Sequence, residues 1–424
     1  MTIKHPQICG IDFGTTNSAI ATSSMSANQQ IQLIPLENDK LSIPTAVFFD
    51  FEQWTVLFGR EGFEKYIDGH PGRLLRSLKS VLGSSLMNET TQIGHDKFEF
   101  SDIIGLFVAN IKKAAELSIN SSLEHTVVGR PVYFVDGDPV ADKRAEGELR
   151  DIFIKQGFKN VSFEFEPIAA ARDYETSISK EELVLIMDIG GGTSDFSLIR
   201  LSPSSRNKQD RTQDIIANSG IHIGGTDLDK QFSLAAVMPQ MGRGSLTIDG
   251  LLMPPNDYST LTTWHEINKL YEKKTRIEIS KLYNMASRKD LVKRLVRTVE
   301  KQRGHELASA VELAKIFLSN NRTTQMDMDF IEEDWLIDVT QVQLLNSISQ
   351  EVHKILEAAK NTVVLGAGMQ LSDIKTIFMT GGSIGLPVFE QEVRKLFPNA
   401  NVIQGDHFAS VATGLGMCAM QRYA

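Results

Sequence analysis

The chain has 424 residues, 42% of them hydrophobic, a formal net charge of −9 and two cysteines, which is enough chain for two or three domains with substantial cores. The acidic balance argues against general affinity for nucleic acid, and Cys9 and Cys418 can form neither a disulfide framework nor a metal site with a nearby histidine. The opening MTIKHPQICG carries no apolar run of signal-peptide length and no segment approaches the roughly 18 apolar residues of a membrane span, so a cytoplasmic protein with no membrane partner is expected.

Residues 8 to 49 read as a meander of four strands, ICGIDFG, SAIATSS, IQLIPL and IPTAVFFD, with Asn38 and Asp39 in a turn. A helical or irregular insertion over 61 to 82 ends in LLRSLKSVLG, and apolar spacing at Ile103, Ile104, Phe107, Ile111 and Ala114 predicts a helix over 100 to 117. VVGRPVYF is a buried strand, 140 to 156 a charged helix and VSFEFEP another strand. The stretch PIAAARDYET opens on Pro167 and continues in small residues, as expected of a helix packed closely against a neighbour.

The second half repeats this outline. Strands 183 to 189 and 195 to 201 flank a glycine turn, SPSSRNKQDRT is a polar loop, and IIANSGIHIGGTDLDKQF gives a strand, a glycine turn and a helix start. Residues 242 to 257 are an irregular insertion. From Trp264 to Glu306 the spacing is helical, with twelve Lys or Arg against six Asp or Glu; such a run is a solvated face or a surface for an acidic partner or RNA. In HELASAVELAKIFLSNN, Glu312, Lys315 and Ser319 share a stripe beside the apolar one, either as an ordinary ion-paired face or as a polar face for a ligand. A helix over 340 to 365 ending at Gly366 leads to the strand IKTIFMT, the turn GGSIG, a helix from Pro387 to Phe397, the strand NVIQG and a last helix over 407 to 424, expected on the first lobe or at the lobe junction. Strands alternating with helices around glycine turns imply an α/β protein with its ligand at the carboxyl edge of the sheet.

Two segments carry the chemistry. GIDFGTTNSAIA and LVLIMDIGGGTSDFSL share one pattern, an apolar strand, Asp, one apolar residue, Gly, hydroxyl, then alternation, which reads as an internal repeat with one copy per half. A turn needs the glycine but not the acid at the strand end. Glycine turns present bare N–H groups to phosphate oxygens, and two opposed turns grip a polyphosphate from both sides. Asp12 and Asp188 beside phosphates then require a cation between them, and Mg²⁺ held through water fits. IGGT at 223 to 226 and TGGS at 380 to 383 add two more turns of the kind.

In their order along the chain these motifs resemble the actin-like ATPases, and specifically the nucleotide-binding domain of DnaK-type heat-shock chaperones. GIDFGTTNSA and MDIGGGTSDFSL resemble that family's two phosphate motifs, FEPIAAARDY its hinge helix, IFMTGGSIGLPVFEQEVRKLF its adenosine motif and GRLLRSLKSVLG the segment of its catalytic lysine; PVYFVDGDP and IHIGGTDLDKQF match lesser blocks. The resemblance implies an actin-like (ribonuclease-H-like) α/β fold of two lobes, each a mixed five-stranded sheet with flanking helices, around a nucleotide cleft. Lobe I would span 1 to 180 with the last helix on it or at the junction, and lobe II 181 to 406 with a helical insertion at about 226 to 305.

The same resemblance implies cofactors ATP or ADP and Mg²⁺, the metal held through water by Asp12 and Asp188. Catalysis would fall to Lys79 and Glu166 with Asp12, Asp188 and Thr193, and phosphate binding to Gly14, Thr15, Thr16, Asn17, Gly190, Gly191, Gly192, Thr193, Asp195, Gly224 and Gly225. Gly381, Gly382 and Ser383 would meet the adenosine, with Glu312, Lys315 and Ser319 on ribose and base. The function implied is a chaperone-like ATPase with slow hydrolysis coupled to lobe closure and a protein partner or co-chaperone; a sugar-kinase-like phosphotransferase and a nucleotide-gated scaffold or filament subunit are the alternatives on this fold. Two departures stand out: Ile316 and Gly385 occupy the positions where the family stacks adenine between arginines, and the chain stops at Ala424 without the family's apolar linker and peptide-binding domain, as a short form would.

Overall fold

The structure is a computed structural model that describes residues 7–23, 31–135, 137–405 and 410–423. The start MTIKHP, Ser24 of the second expected strand, Asp136 of PVYFVDGDP, and residues 407–409 and 424 of the last expected helix lie outside the described residues.

One sheet topology is built twice. In the first half, β1 (Gln7–Phe13), β2 (Asn17–Ser23) and β3 (Ile31–Leu33) run antiparallel, while β4 (Leu123–Arg130) lies parallel to β1 and β5 (Asn160–Phe165) parallel to β4. In the second half β6 (Glu182–Ile189), β7 (Ser194–Leu201) and β8 (Ile215–Ile221) are antiparallel, with β9 (Thr376–Thr380) parallel to β6 and β10 (Asn401–Gln404) parallel to β9. Each sheet has the expected five-strand path, and the first gains the two-residue strand Ile43–Pro44 against β2.

The meander ends sooner than its sequence suggests. IPTAVFFD splits at Thr45: Ile43–Pro44 stays on β2, while Ala46–Asp50 leaves to pair with Thr55–Phe58 and Gly72–Arg76 in a separate three-stranded sheet. Thr45 fixes the branch point, donating its hydroxyl to the Gly14 carbonyl at 2.8 Å and its N–H to the Thr16 carbonyl at 2.9 Å. All five residues of Ala46–Asp50 are buried, so the segment has no solvent face to alternate with. Beyond it, the expected insertion over 61 to 82 resolves into α1 (Gly59–Ile67), the strand Gly72–Arg76 and a 3₁₀ turn at Leu78–Val81.

Strand alternation sets the two faces of each sheet. In β1, Cys9, Ile11 and Phe13 enter the first core together with α2 (Phe100–Ile119) and α3 (Pro139–Lys155). Ile8, Gly10 and Asp12 take the opposite face. In β6, Leu185, Met187 and Ile189 enter the second core, leaving Val184, Ile186 and Asp188 opposite. A third core joins the halves: Ile8, Val127, Val184, Ile186 and Phe378 close over α4 (Glu166–Ala170) and the last helix. The expected helix over 167 to 176 breaks at Ala171 into two short helices, α4 and Arg172–Ser177.

The second half adds α5 (Gly225–Ala236), a 3₁₀ segment Trp264–Tyr271, helices Lys273–Met285 and Lys289–Glu300, then α6 (Gly304–Leu318) and α7 (Gln341–Asn361). Thr340 caps α7, its hydroxyl accepting from the Gln343 N–H at 3.1 Å while the Gln343 side chain accepts from the Thr340 N–H at 2.9 Å. The chain closes with α8 (Ser410–Tyr423), which packs on β1, β2, β4 and α4. A Cβ on Gly10 would stand 2.1 Å from the Gly416 nitrogen, so strand and helix touch through bare backbone.

A second bridge between the halves is aromatic. Phe63 of α1 stacks on Trp264 with centroids 5.0 Å apart and planes 9° from parallel, and Tyr66 meets His305 of α6 edge-on at 4.8 Å. The Asn268 amide donates to the Tyr66 hydroxyl at 2.7 Å. Burial pushes His305 down to about 4 from its ordinary 6.5; the Trp264 backbone opposes this and the Arg76 charge adds to it. An unfolded chain therefore binds more protons than the folded one between these values. The contribution is fully present above about pH 6.5 and is lost as pH falls toward 4, by up to roughly 3 kcal/mol. Melting from pH 7 down to pH 4 should show this loss in the native chain and a smaller one in His305→Phe; equal losses would remove His305 as its source.

Candidate functional site

The two glycine turns meet tip to tip. The turn after β1 starts from Asp12, opposite Ala19, and the turn after β6 from Asp188, opposite Asp195. A Cβ on Gly191 would stand 2.8 Å from Cγ2 of Thr16, so the turns approach each other from opposite halves. Within the second turn the Gly190 N–H donates to the Thr193 carbonyl at 2.9 Å, and the Thr193 hydroxyl donates to Asp195 at 3.0 Å.

The other two glycine pairs brace this turn. Gly225 N–H donates to the Gly190 carbonyl at 2.9 Å, Thr226 N–H to the Gly191 carbonyl at 2.8 Å, and the Ser383 hydroxyl to the Gly190 carbonyl at 2.9 Å. Gly224 packs so closely that a Cβ would lie 2.7 Å from the Gly191 carbonyl group. Gly381 has φ +95°, and a Cβ there would stand 2.5 Å from Oδ1 of Asp188.

A cavity of about 140 Å³ lies between the turns, lined by Gly14, Thr15, Thr16 and Asn17 from the first half and by Gly190, Gly191, Gly192, Thr193 and Asp195 from the second, with Gly381 and Gly382 at one end. Asp12, Asp188, Lys79 and Glu166 line it too. Lys79, delivered by the 3₁₀ turn at Leu78–Val81, forms an ion pair with Glu166, the first residue of α4. Their side chains are 8% and 18% exposed, so solvent screens the pair little.

Acid dominates this cavity. Burial first and the Glu166 carboxylate second push Asp12 up to about 7, against the pull of Lys79. Burial, then Asp195, Glu166 and Asp12, push Asp188 up to about 8, again against Lys79. Carboxylates crowded in this way gain from any cation placed between them. Among the described residues no group of three or more His, Cys, Asp or Glu is arranged to hold a metal ion directly. Two facing carboxylates instead suit an ion that keeps most of its water, as Mg²⁺ does.

A second cavity of about 290 Å³ continues from Thr16, Asn17 and Gly191 toward α6, where Glu312, Lys315 and Ile316 line it beside Gly225, Gly382 and Ser383. Lys315 pairs with Asp229 at 2.8 Å and donates to the Gly225 carbonyl at 3.2 Å, which ties α6 to the start of α5. Ser319 does not line this cavity; its hydroxyl donates to the Lys315 carbonyl of its own helix at 3.2 Å. Gly385 is likewise away from the lining, whereas Ile316 is on it and 56% exposed.

The lining also includes residues that the sequence does not single out as part of a site, among them Asp229, Arg76 and Trp264. Asp229 stands four residues after Gly225 in GGTDLD, so its helical spacing from a recognised turn was the available signal. Arg76 and Trp264 are brought together by packing alone, and no local pattern announces them. Cys9 and Cys418, by contrast, are inert in this context, each buried and pushed up to about 12 by desolvation.

The Hsp70 protein family model matches residues 8–238 and 284–421 of this chain. Among curated proteins, the chaperone protein DnaK of Thermosipho melanesiensis is 24% identical over 412 residues, covering 95% of this chain and 57% of its own length. DnaK of Thermotoga neapolitana is 24% identical over 413 residues, covering 95% and 58%. DnaK of Ureaplasma urealyticum is 26% identical over 402 residues, covering 92% and 54%. The chain thus spans a little over half the length of the curated relatives it matches, and no helix of the described residues is long and apolar enough to cross a membrane. With one strand order built twice and a family match that leaves out only 239–283 between its two stretches, the chain belongs to the Hsp70 family and has that family's actin-like ATPase fold.

Proposed function

We propose that this chain binds Mg-ATP between two lobes, residues 1–180 with the last helix and residues 181–406, and hydrolyses it slowly as the lobes close. The observation that carries this reading is the register match of Asp12 and Asp188 at two opposed glycine turns, in one cavity with the Lys79–Glu166 pair. Bare N–H groups on both turns hold the β- and γ-phosphates, and the second cavity takes the nucleoside, with Glu312 and Lys315 toward the ribose and base. Mg²⁺, held through water by Asp12 and Asp188, would neutralise phosphate charge. Glu166 accepts a hydrogen bond from the attacking water, and Lys79 donates to the oxygens that gain charge as the bond from phosphorus to ADP breaks. Little covalent work falls to the protein in such a transfer, so positioning and fixed charge suffice.

A chaperone role with a protein partner follows from the names of the relatives and from the lobe arrangement, since nucleotide-dependent closure is a signal that a second protein can read. The test of the binding step is calorimetry and thermal melting with ATP, GTP and ADP in the presence of Mg²⁺. Bound nucleotide at a hundred times its Kd should add about 2.7 kcal/mol to stability. Absence of binding by every nucleotide at millimolar concentration would overturn the reading.

A further inference from the structure

The nucleoside cavity lacks the two stacking arginines that the family pattern would place at 316 and 385, yet it has a guanidinium. Arg76, at the end of the strand Gly72–Arg76, sits with its guanidinium carbon 4.9 Å from the Trp264 ring centroid and 5.2 Å from that of Phe63. The two rings are themselves stacked across the cleft, Phe63 on lobe I and Trp264 on lobe II. Arg76, Phe63 and Trp264 line the same cavity as Glu312, Lys315 and Ile316.

Among the described residues no carboxylate stands within ion-pair distance of Arg76, and no side-chain hydrogen bond engages its guanidinium. A guanidinium has five N–H donors, and those of Arg76 are not sealed from solvent but open to the cavity, where the Glu312 charge on α6 also acts on it. The aromatic rings satisfy a face of the ion but none of its donors. A nucleoside in the cavity offers ring nitrogens and oxygens at the edge of a flat base, which a fork of N–H groups can meet.

We propose that Arg76, backed by Trp264 and Phe63, is the specificity-determining residue that holds the nucleoside in this chain. It is a grip built across the cleft: lobe I supplies the cation, lobe II supplies the ring behind it, and opening the lobes takes it apart. Trp264 lies in the segment 239–283 that falls between the two stretches of the family match. Base recognition and lobe closure are then one event, because the cation is in place only when α1 and the Trp264–Tyr271 segment are together.

The inference rests on the nucleotide-binding reading above, and its test separates the two. Calorimetry on the full chain compares Mg-ATP with Mg-tripolyphosphate, which has the phosphates but no nucleoside. Arg76→Ala should weaken ATP about three- to thirtyfold while leaving tripolyphosphate within about twofold. Should that variant fail to fold, Arg76→Lys decides on the same comparison, with a smaller loss confined to ATP. In the Arg76→Ala background, Ile316→Arg should recover part of the ATP affinity by returning a cation to the cavity. Equal losses for both ligands, or ATP binding unchanged, would overturn the grip. Native protein that binds both ligands with equal affinity also overturns it and leaves the phosphate cleft standing, whereas native protein that binds neither sinks the nucleotide reading itself.

Discussion

Lys79→Ala should lower single-turnover ATP hydrolysis by about two to three orders of magnitude while changing ATP affinity only a few-fold. Lys79 is the positive charge in a cavity lined by Asp12, Glu166, Asp188 and Asp195, and it is 8% exposed, so little water stands ready to replace it. In the proposed reading the ground-state nucleotide would be held mainly by the N–H groups of the turns and by the second cavity, both of which the substitution leaves intact. Charge that develops on the transferring phosphoryl group loses its fixed partner, and that loss appears in the rate. Asp12→Asn and Asp188→Asn should behave differently, shifting the Mg²⁺ dependence as well as the rate. Hydrolysis that persists at the native rate in Lys79→Ala, or a loss in affinity as large as the loss in rate, would remove Lys79 from the chemical step.

The second large effect concerns the joint between the halves. Gly414→Ala is expected to destabilise the protein by roughly 2 kcal/mol and to lower its melting temperature by several degrees. Two effects oppose each other here. Alanine is a better helix residue than glycine by about 1 kcal/mol. Its Cβ, however, would stand 1.9 Å from the Ala169 carbonyl oxygen and 2.6 Å from the carbonyl carbon, both backbone atoms of α4 that cannot turn aside. Overpacking of this kind costs about 3 kcal/mol and outweighs the propensity gain. Gly416→Ala is the informative control. Its nearest neighbours, Cγ2 of Ile31 at 2.9 Å and Cβ of Ala21 at 3.1 Å, stand farther off than the Ala169 carbonyl does from Gly414, so the clash is shallower and its loss should be smaller. Calorimetric melting of the two variants tests this, and a Gly414→Ala protein that melts at or above the native temperature would show that α8 is not seated on α4 as described. Because α4 begins with Glu166, the same variant should also weaken hydrolysis.

The sequence by itself determined the parts of this protein that depend on neighbours along the chain. Two copies of strand, Asp, apolar residue, Gly and hydroxyl place Asp12 and Asp188 at equivalent ends of β1 and β6, and period-two alternation then puts both on the face away from their cores, where the cleft lies. Local rules also sufficed for α7, whose capping pair Thr340 and Gln343 is written in the chain and which runs on into a π-helical turn, Thr362–Gly366, that stops at the expected glycine. Tertiary structure decided the rest. Nothing near residue 45 says that IPTAVFFD divides between two sheets; the hydroxyl of Thr45 reaching the Gly14 carbonyl does that. The helical spacing of α6 puts Glu312, Lys315 and Ser319 on one polar stripe, but packing against α5 turns only the first two to the cavity and leaves Ser319 bonded within its own helix. Arg76 and Trp264 were silent because they come from segments far apart in the chain, and Arg76 gains the Trp264 ring only where the two halves are folded together. Hydrogen-bonding geometry and side-chain alternation act over a few residues and can be read from them, whereas the contacts that complete the cleft exist only once the burial of the three cores has set the lobes side by side.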